Sequence, residues 1–110
     1  MIECNSANLF DLPDAAFDSE RADILAHGKN VRVERIISRG QTSGWYDQSE
    51  AEFVALLEGE AEIEFENGKR VYLRKGGTLL LRPHEKHRVA FTSAEPPCIW
   101  LCVFFNADDI

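Results

Sequence analysis

Hydrophobic and polar residues alternate along much of the chain with a period of two, which is typical of a β-strand with one buried face. The clearest case is residues 61–66, where Ala61, Ile63 and Phe65 alternate with glutamates. Residues 98–105 are instead continuously apolar, which predicts a strand that is buried on both faces or packed between layers. The whole pattern predicts strands over residues 21–26, 31–37, 52–58, 61–66, 70–74, 78–82, 87–92 and 98–105.

Turn residues separate these strands. Asn67-Gly68 predicts a two-residue type I′ hairpin, because that turn needs a positive φ at both positions. Lys75-Gly76-Gly77 predicts another turn, and residues 40–44 predict a loop. Many short strands joined in this way predict an all-β sandwich or small barrel.

The first 30 residues are less regular than the rest. Residues 8–13 read as a short arm that ends at Pro13, and residues 14–20 are polar enough to hold one helical turn. We therefore expect a single domain in which residues 1–29 form an arm and a short strand, and residues 30–106 form the barrel. Residues 106–110 are a polar tail.

Composition excludes several classes of function. The chain has 110 residues, which suits one domain, and 12 basic against 19 acidic residues give a net charge of −7. This balance argues against a nucleic acid or an anionic membrane as partner, because no basic cluster is available to neutralise phosphates. No apolar run approaches the roughly 20 residues that span a bilayer, and no signal peptide is visible, so we expect a cytoplasmic protein. Three cysteines without metal-binding spacing predict reduced, buried thiols.

Side chains with useful chemistry fall into two stretches, and their order resembles the two motifs of the cupin superfamily. The first stretch runs Gly40, Tyr46, Gln48, Glu52 and Gly59, at the spacing of the first cupin motif. Tyr46 and Gln48 stand where that motif has two histidines.

The second stretch runs Gly76, Arg82, His84 and His87 and resembles the second motif, with His84 at the place of a family glycine. The two stretches together are similar to those of small, single-domain bacterial cupins.

The resemblance implies a cupin double-stranded β-helix, which is a jelly-roll-like barrel, over residues 32–105. It also implies a divalent metal in the barrel, which cupins usually bind through histidines and a glutamate. Small cupins commonly form homodimers, so we expect residues 8–12, with the last strand as a further candidate, to pair with a second copy and to cover an exposed sheet edge.

The side chains themselves suggest how a metal could be held. Asp47, Glu52, His84 and His87 offer two nitrogen and two oxygen ligands, which suits a divalent transition metal such as Fe, Mn, Ni, Co or Zn. Glu52 or His84 would then act as the catalytic acid or base. We expect a further group of side chains to contact a substrate, namely Tyr46, Gln48 and Arg88.

Other interpretations of the same residues stay open at this stage. Glu52 could form a salt bridge with Arg35 or Arg88, and arginines in an acidic protein often pair with carboxylates. His84 could simply be exposed, and Asp47 could make a local turn.

Two functions are therefore carried forward. The first is a metal-dependent enzyme acting on a small polar molecule, and the alternative is a non-catalytic binder or sensor without metal. A serine triad is excluded because the serines lack a glycine elbow, and Lys75-Gly76-Gly77 has no helix after it to bind a phosphate.

Overall fold

The computed structural model of the protein describes residues 8–13 and 19–109. This part of the chain contains eight strands and one short 3-10 helix. The strands are β1 (Arg21–His27), β2 (Val31–Ser38), β3 (Ala51–Glu58), β4 (Ala61–Phe65), β5 (Arg70–Leu73), β6 (Thr78–Leu81), β7 (His87–Thr92) and β8 (Cys98–Phe105), and the 3-10 helix is Ala107–Asp109. The prediction of an all-β fold is confirmed, and every predicted strand is present to within one residue at each end. Most of the expected helical turn, residues 14–18, lies outside the described residues.

The strands form two antiparallel sheets. The larger has the order β1-β2-β8-β3-β6, and the smaller has the order β5-β4-β7. The last strand in the chain therefore lies at the centre of the larger sheet, which explains why residues 98–105 are continuously apolar. Its even-numbered side chains are buried, while Leu101 and Val103 on the opposite face are half-buried.

The hydrophobic core lies between the two sheets, where the buried faces of the strands meet. In β4, Ala61, Ile63 and Phe65 are buried and the two glutamates between them are not, as the alternation predicted. Cys98 and Cys102 are both buried free thiols, as expected; Cys4 lies outside the described residues.

The hairpin between β4 and β5 differs from the predicted type I′ turn. Among the described residues, Gly68 has a φ of 88° whereas Asn67 does not have a positive φ. The Gly68 amide donates to the carbonyl of Phe65, and the Phe65 amide donates to the carbonyl of Lys69. This is the pattern of a longer turn that ends in a left-handed glycine, so only one of the two residues needs the glycine-like conformation.

The described part of the N-terminal arm packs on its own chain. The Arg35 side chain on β2 donates from Nη1 to the carbonyl oxygens of Asp11 (2.8 Å) and Leu9 (3.2 Å), and from Nη2 to Asp23 on β1 (2.7 Å). Arg35 is 9% exposed, and these hydrogen bonds and the ion pair with Asp23 stabilise its buried charge. Among residues 8–13 and 19–109, no helix has the length and apolar character needed to cross a membrane.

Candidate functional site

A cavity of about 300 Å³ lies between the two sheets. One wall of the cavity is the inner face of the larger sheet. The register of β2, β8 and β3 there places residues that are distant in sequence side by side across the three strands. Because every second side chain of a strand points to the same face, residues paired across these strands face the cavity together. The first row contains Arg32, Phe104 and Glu52, and the second contains Glu34, Cys102 and Val54.

Glu52 lies in this cavity as a carboxylate that forms no ion pair with an arginine or lysine of the described residues. It is 7% exposed, and Gln48 Nε2 donates to its Oε1 over 3.2 Å. Burial raises the pKa of the Glu52 carboxyl; hydrogen bonds from the Cys102 thiol and Gln48, and the nearby His87, oppose this shift only in part. Neither Arg35 nor Arg88 forms the salt bridge with Glu52 that the sequence left open.

His87 lies in the same cavity, at the start of β7. It is 4% exposed, and its Nδ1 is 2.8 Å from the carbonyl oxygen of Glu85. Since a carbonyl can only accept, Nδ1 carries the proton of this hydrogen bond, and in the neutral ring Nε2 is left as an acceptor. Among the described residues Nε2 has no hydrogen-bond partner.

Tyr46 holds His87 in position and borders the cavity. The backbone amide of Tyr46 donates to the carbonyl of His87 (2.7 Å), and the two rings lie 5.5 Å apart between their centroids. The Tyr46 side chain is 40% exposed and lines the cavity together with Glu20. Both predicted substrate contacts in the first motif, Tyr46 and Gln48, thus line the cavity, while their role stays a prediction.

Asp47 and His84 lie outside the cavity. Asp47 stands between two cavity residues in an extended segment, so its side chain points the other way. Its Oδ1 is 2.8 Å from His84 Nδ1, and the two side chains are 46% and 68% exposed. The predicted catalytic histidine, His84, is therefore paired on the surface and not beside Glu52.

The four expected metal ligands consequently do not form one set. Of these, only Glu52 and His87 line the cavity. Among residues 8–13 and 19–109, no group of three or more His, Cys, Asp or Glu side chains is arranged to hold a metal ion. The donors that the described residues supply do not fit a resident metal held in the usual way by three or four side chains.

Arg88 also lies outside the cavity, because it follows His87 in β7 and neighbouring residues of a strand point to opposite faces. Its guanidinium contacts Glu64 on β4 and lies 5.2 Å from the centre of the Trp45 ring. The structure therefore supports the alternative interpretation of Arg88, an ion pair with a carboxylate, over a substrate contact.

Two features at motif positions explain local geometry. Gly59 has a φ of 89°, and a Cβ there would come within 2.9 Å of the backbone and Sγ of Cys98, so the close approach of β8 needs glycine. His84, at the place of a family glycine, has a φ of 60° and keeps the left-handed conformation without being glycine.

Sequence reasoning missed several residues of the cavity, above all Glu20, Arg32 and Glu34. Arg32 and Glu34 alternate with Val33 and Arg35, so period two placed them on one face of β2. The missing information was which face is inside, and that depends on the pairing of β2 with β8. Glu20 precedes β1 and carries no such signal.

A family model described as the cupin domain matches residues 33–104. The chain is a cupin. Its all-β double-stranded helix agrees with this family, as the sequence resemblance implied. No curated protein matches the chain significantly.

Solved structures show the same fold. A candidate mannose-6-phosphate isomerase from Ralstonia eutropha is 38% identical, with a TM-score of 0.86; the match covers 94% of this chain and 99% of that one. A conserved protein with a double-stranded β-helix domain from Klebsiella pneumoniae is 17% identical, covering 96% and 93%, with a TM-score of 0.78. A cupin superfamily protein from Desulfitobacterium hafniense is also 17% identical, covering 86% and 84%, with a TM-score of 0.74. The last two show the fold alone.

Proposed function

We propose that this cupin binds a small polar molecule in the cavity between its sheets, with Glu52 and His87 as the main polar contacts. The observation that carries the proposal is His87 Nε2, which has no hydrogen-bond partner among the described residues and lies in the same cavity as Glu52, a carboxylate that forms no ion pair with their arginines or lysines. His87 Nε2 is not one of the fully buried side-chain atoms without a partner among the described residues, so this nitrogen can be reached from the cavity. A bound molecule would supply the missing contacts, and a cavity of about 300 Å³ is at the lower end for ligand sites.

Proton transfer on that molecule is the second candidate function. The raised pKa of Glu52 and the free acceptor of His87 give the cavity an acid and a base that interact with each other. The Ralstonia relative is named for a sugar isomerisation, and such a reaction moves a proton between neighbouring carbon atoms. The 38% identity over nearly the whole chain favours proton transfer as the reaction type. It does not extend to the substrate, and we do not propose the sugar phosphate in that name as the ligand of this chain.

A divalent transition metal stays a prediction from the family resemblance. Glu52 and His87 are the members of its expected ligand set that line the cavity, and our proposal does not depend on a metal. Removing metals with a chelator should therefore leave ligand binding unchanged. Loss of binding after chelation, with recovery on adding one equivalent of a metal, would restore the metal-dependent interpretation.

The homodimer also stays a proposal. Phe53 and Leu80 pair across β3 and β6, and their side chains are 40% and 39% exposed. A second copy covering these residues would remove apolar surface from water. Light scattering at working concentration would give twice the chain mass for a dimer, and a single chain mass would end the proposal.

The binding proposal is tested by nuclear magnetic resonance of the labelled, chelator-treated protein. A panel of small amines, alcohols and acids is added, and amide shifts of β3, β7 and β8 around the cavity are compared with those of β5. We expect shifts confined to the cavity strands, weakened in Glu52→Gln and His87→Gln and unchanged in Glu64→Gln. No shift with any compound, or equal shifts in all variants, would contradict the proposal.

A further inference from the structure

The charges that line the cavity are unbalanced. Among the described residues, three glutamates line it (Glu20, Glu34 and Glu52), against one arginine, Arg32, and one histidine, His87. Because the cavity is narrow and partly apolar, these charges act more strongly there than in water. A positively charged ligand would balance the excess of carboxylates, whereas a negatively charged ligand would increase the repulsion.

The one arginine is already engaged. Arg32 contacts Glu34 through Nε, and its Nη1 lies 3.2 Å from a second carboxylate, that of Glu50, which is not part of the cavity lining. Its guanidinium also lies 4.2 Å from the centre of the Phe104 ring. With two carboxylates and an aromatic face around it, Arg32 has little charge left for an anionic ligand. Neither Glu20 nor Glu52 forms an ion pair with an arginine or lysine of the described residues, and the basic side chain that lies near Glu52 is His87.

The hydrogen-bonding groups point to the same conclusion. In its neutral form His87 offers an acceptor at Nε2, and Glu52 offers carboxylate oxygens beside it. A molecule that satisfies both must carry N–H or O–H donors at that end. A phosphate or carboxylate group has acceptors where the cavity has acceptors.

A single metal ion is not the expected partner of Glu52 and His87, because no three acidic, histidine or cysteine side chains of the described residues are arranged to hold one. The carboxylates are distributed along the wall, and aromatic rings of Tyr46, Trp100 and Phe104 stand among them. Aromatic faces attract organic cations, and the Arg32–Phe104 contact shows such an arrangement within the protein itself.

We propose that the ligand of this cavity is a small organic cation, an amine in its ammonium form on a compact apolar frame, with its N–H groups directed to Glu52 and His87. This inference rests on the proposed function and adds the class of ligand. It disfavours a sugar phosphate, which has the opposite charge.

The test uses three probes of one shape and different charge: benzylamine, benzyl alcohol and benzoate. Dissociation constants are measured at neutral pH and physiological salt, from the amide shifts of β3, β7 and β8, on the wild type, Glu52→Gln and Glu64→Gln. Glu64 is the matched control, because it is a glutamate paired with arginines on the outer face. We expect benzylamine to bind about tenfold more tightly than benzyl alcohol, and benzoate to bind most weakly. Glu52→Gln should remove that advantage, and Glu64→Gln should keep it.

The outcomes separate the two proposals. If benzyl alcohol or benzoate binds the cavity as tightly as benzylamine, the ligand class is wrong and the proposed binding function stands. If benzylamine binds equally to Glu52→Gln and the wild type, its contact is not the one proposed, and the inference is also wrong. If none of the three probes shifts a cavity amide, both proposals fail.

Discussion

Glu52 and Glu64 have opposite environments, although both are glutamates in strands of the same barrel. Glu64, on the outer face of β4, lies between Arg88 and Arg70, and the Arg88 hydrogen bond lowers its pKa. Glu52, on the inner face of β3, has no arginine or lysine beside it among the described residues, and burial raises its pKa. A carboxylate with a built-in partner serves the fold, whereas one without a partner is free to meet a ligand.

The same contrast divides two neighbouring residues of β7. His87 points inward, with a ring nitrogen that has no hydrogen-bond partner in the described part of the chain, and Arg88 points outward into an ion pair. The alternation of strand side chains separates a candidate binding group from a structural one over a single peptide bond.

The largest expected effect sharpens the contrast within β7. His87→Ala should lower the free energy of unfolding by about 2 kcal/mol, because it opens space in a buried region and leaves the Glu85 carbonyl without its donor. Arg88→Ala should cost less than about 1 kcal/mol, since it removes a partly exposed ion pair. Urea denaturation of both variants measures the difference. If Arg88→Ala lost more stability than His87→Ala, the outward side chain of β7 would contribute more to the fold than the inward one.

The next effect has opposite signs at the two glutamates. Glu52→Gln keeps the shape of the side chain and removes a charge that burial disfavours, so we expect it to raise the free energy of unfolding at pH 7. Glu64→Gln should lower stability slightly, because it removes a paired charge. Thermal unfolding of the two variants beside the wild type gives both signs. Destabilisation by Glu52→Gln would mean that its charge already has a partner.

The pH dependence follows from the raised pKa of Glu52. In the folded state this carboxyl binds its proton more tightly than in the unfolded chain, so its contribution to stability is present at low pH and is lost as the pH rises through the folded pKa. Glu64, with a lowered pKa, acts in the opposite sense and loses its contribution as the pH falls.

The difference between Glu52→Gln and wild type isolates the first of these groups. It should be small below the pKa of an unfolded glutamate, about 4.3, and should grow at higher pH. Unfolding curves at several pH values provide the measurement, and a difference that stays constant with pH would contradict the raised pKa.

The smallest effect concerns His84, which lies outside the cavity. Its φ of 60° costs a residue with a side chain about 1 kcal/mol, and His84→Gly removes this strain while losing the contact with Asp47 and the lower unfolded-state entropy of histidine. We expect the free energy of unfolding to change by less than about 0.5 kcal/mol, with ligand binding unchanged. His84→Val, with a branched side chain, serves as the destabilised control. Loss of binding in His84→Gly would return His84 to the site.

The sequence was sufficient for the strands and for part of the site. Alternation and turn residues are local signals, and they placed all eight strands as well as Glu52 and His87. Whether a side chain points into the cavity or to solvent was harder to predict, because it depends on how strands distant in sequence pair. Asp47 and His84 were grouped with Glu52 by spacing, but Asp47 points outward from an extended segment and His84 lies in a surface turn with a φ of 60°. Arg32 and Glu34 faced the cavity only through the pairing of β2 with the last strand.

The account is tested most directly by following the side-chain carboxyl carbons of Glu52 and Glu64 by nuclear magnetic resonance during a pH titration, with and without benzylamine. It predicts that Glu52 titrates above the ordinary range of a glutamate and Glu64 below it, and that benzylamine lowers the pKa of Glu52 alone. Equal titration of the two carboxyls, or a Glu52 resonance that does not respond to any probe that binds, would contradict it.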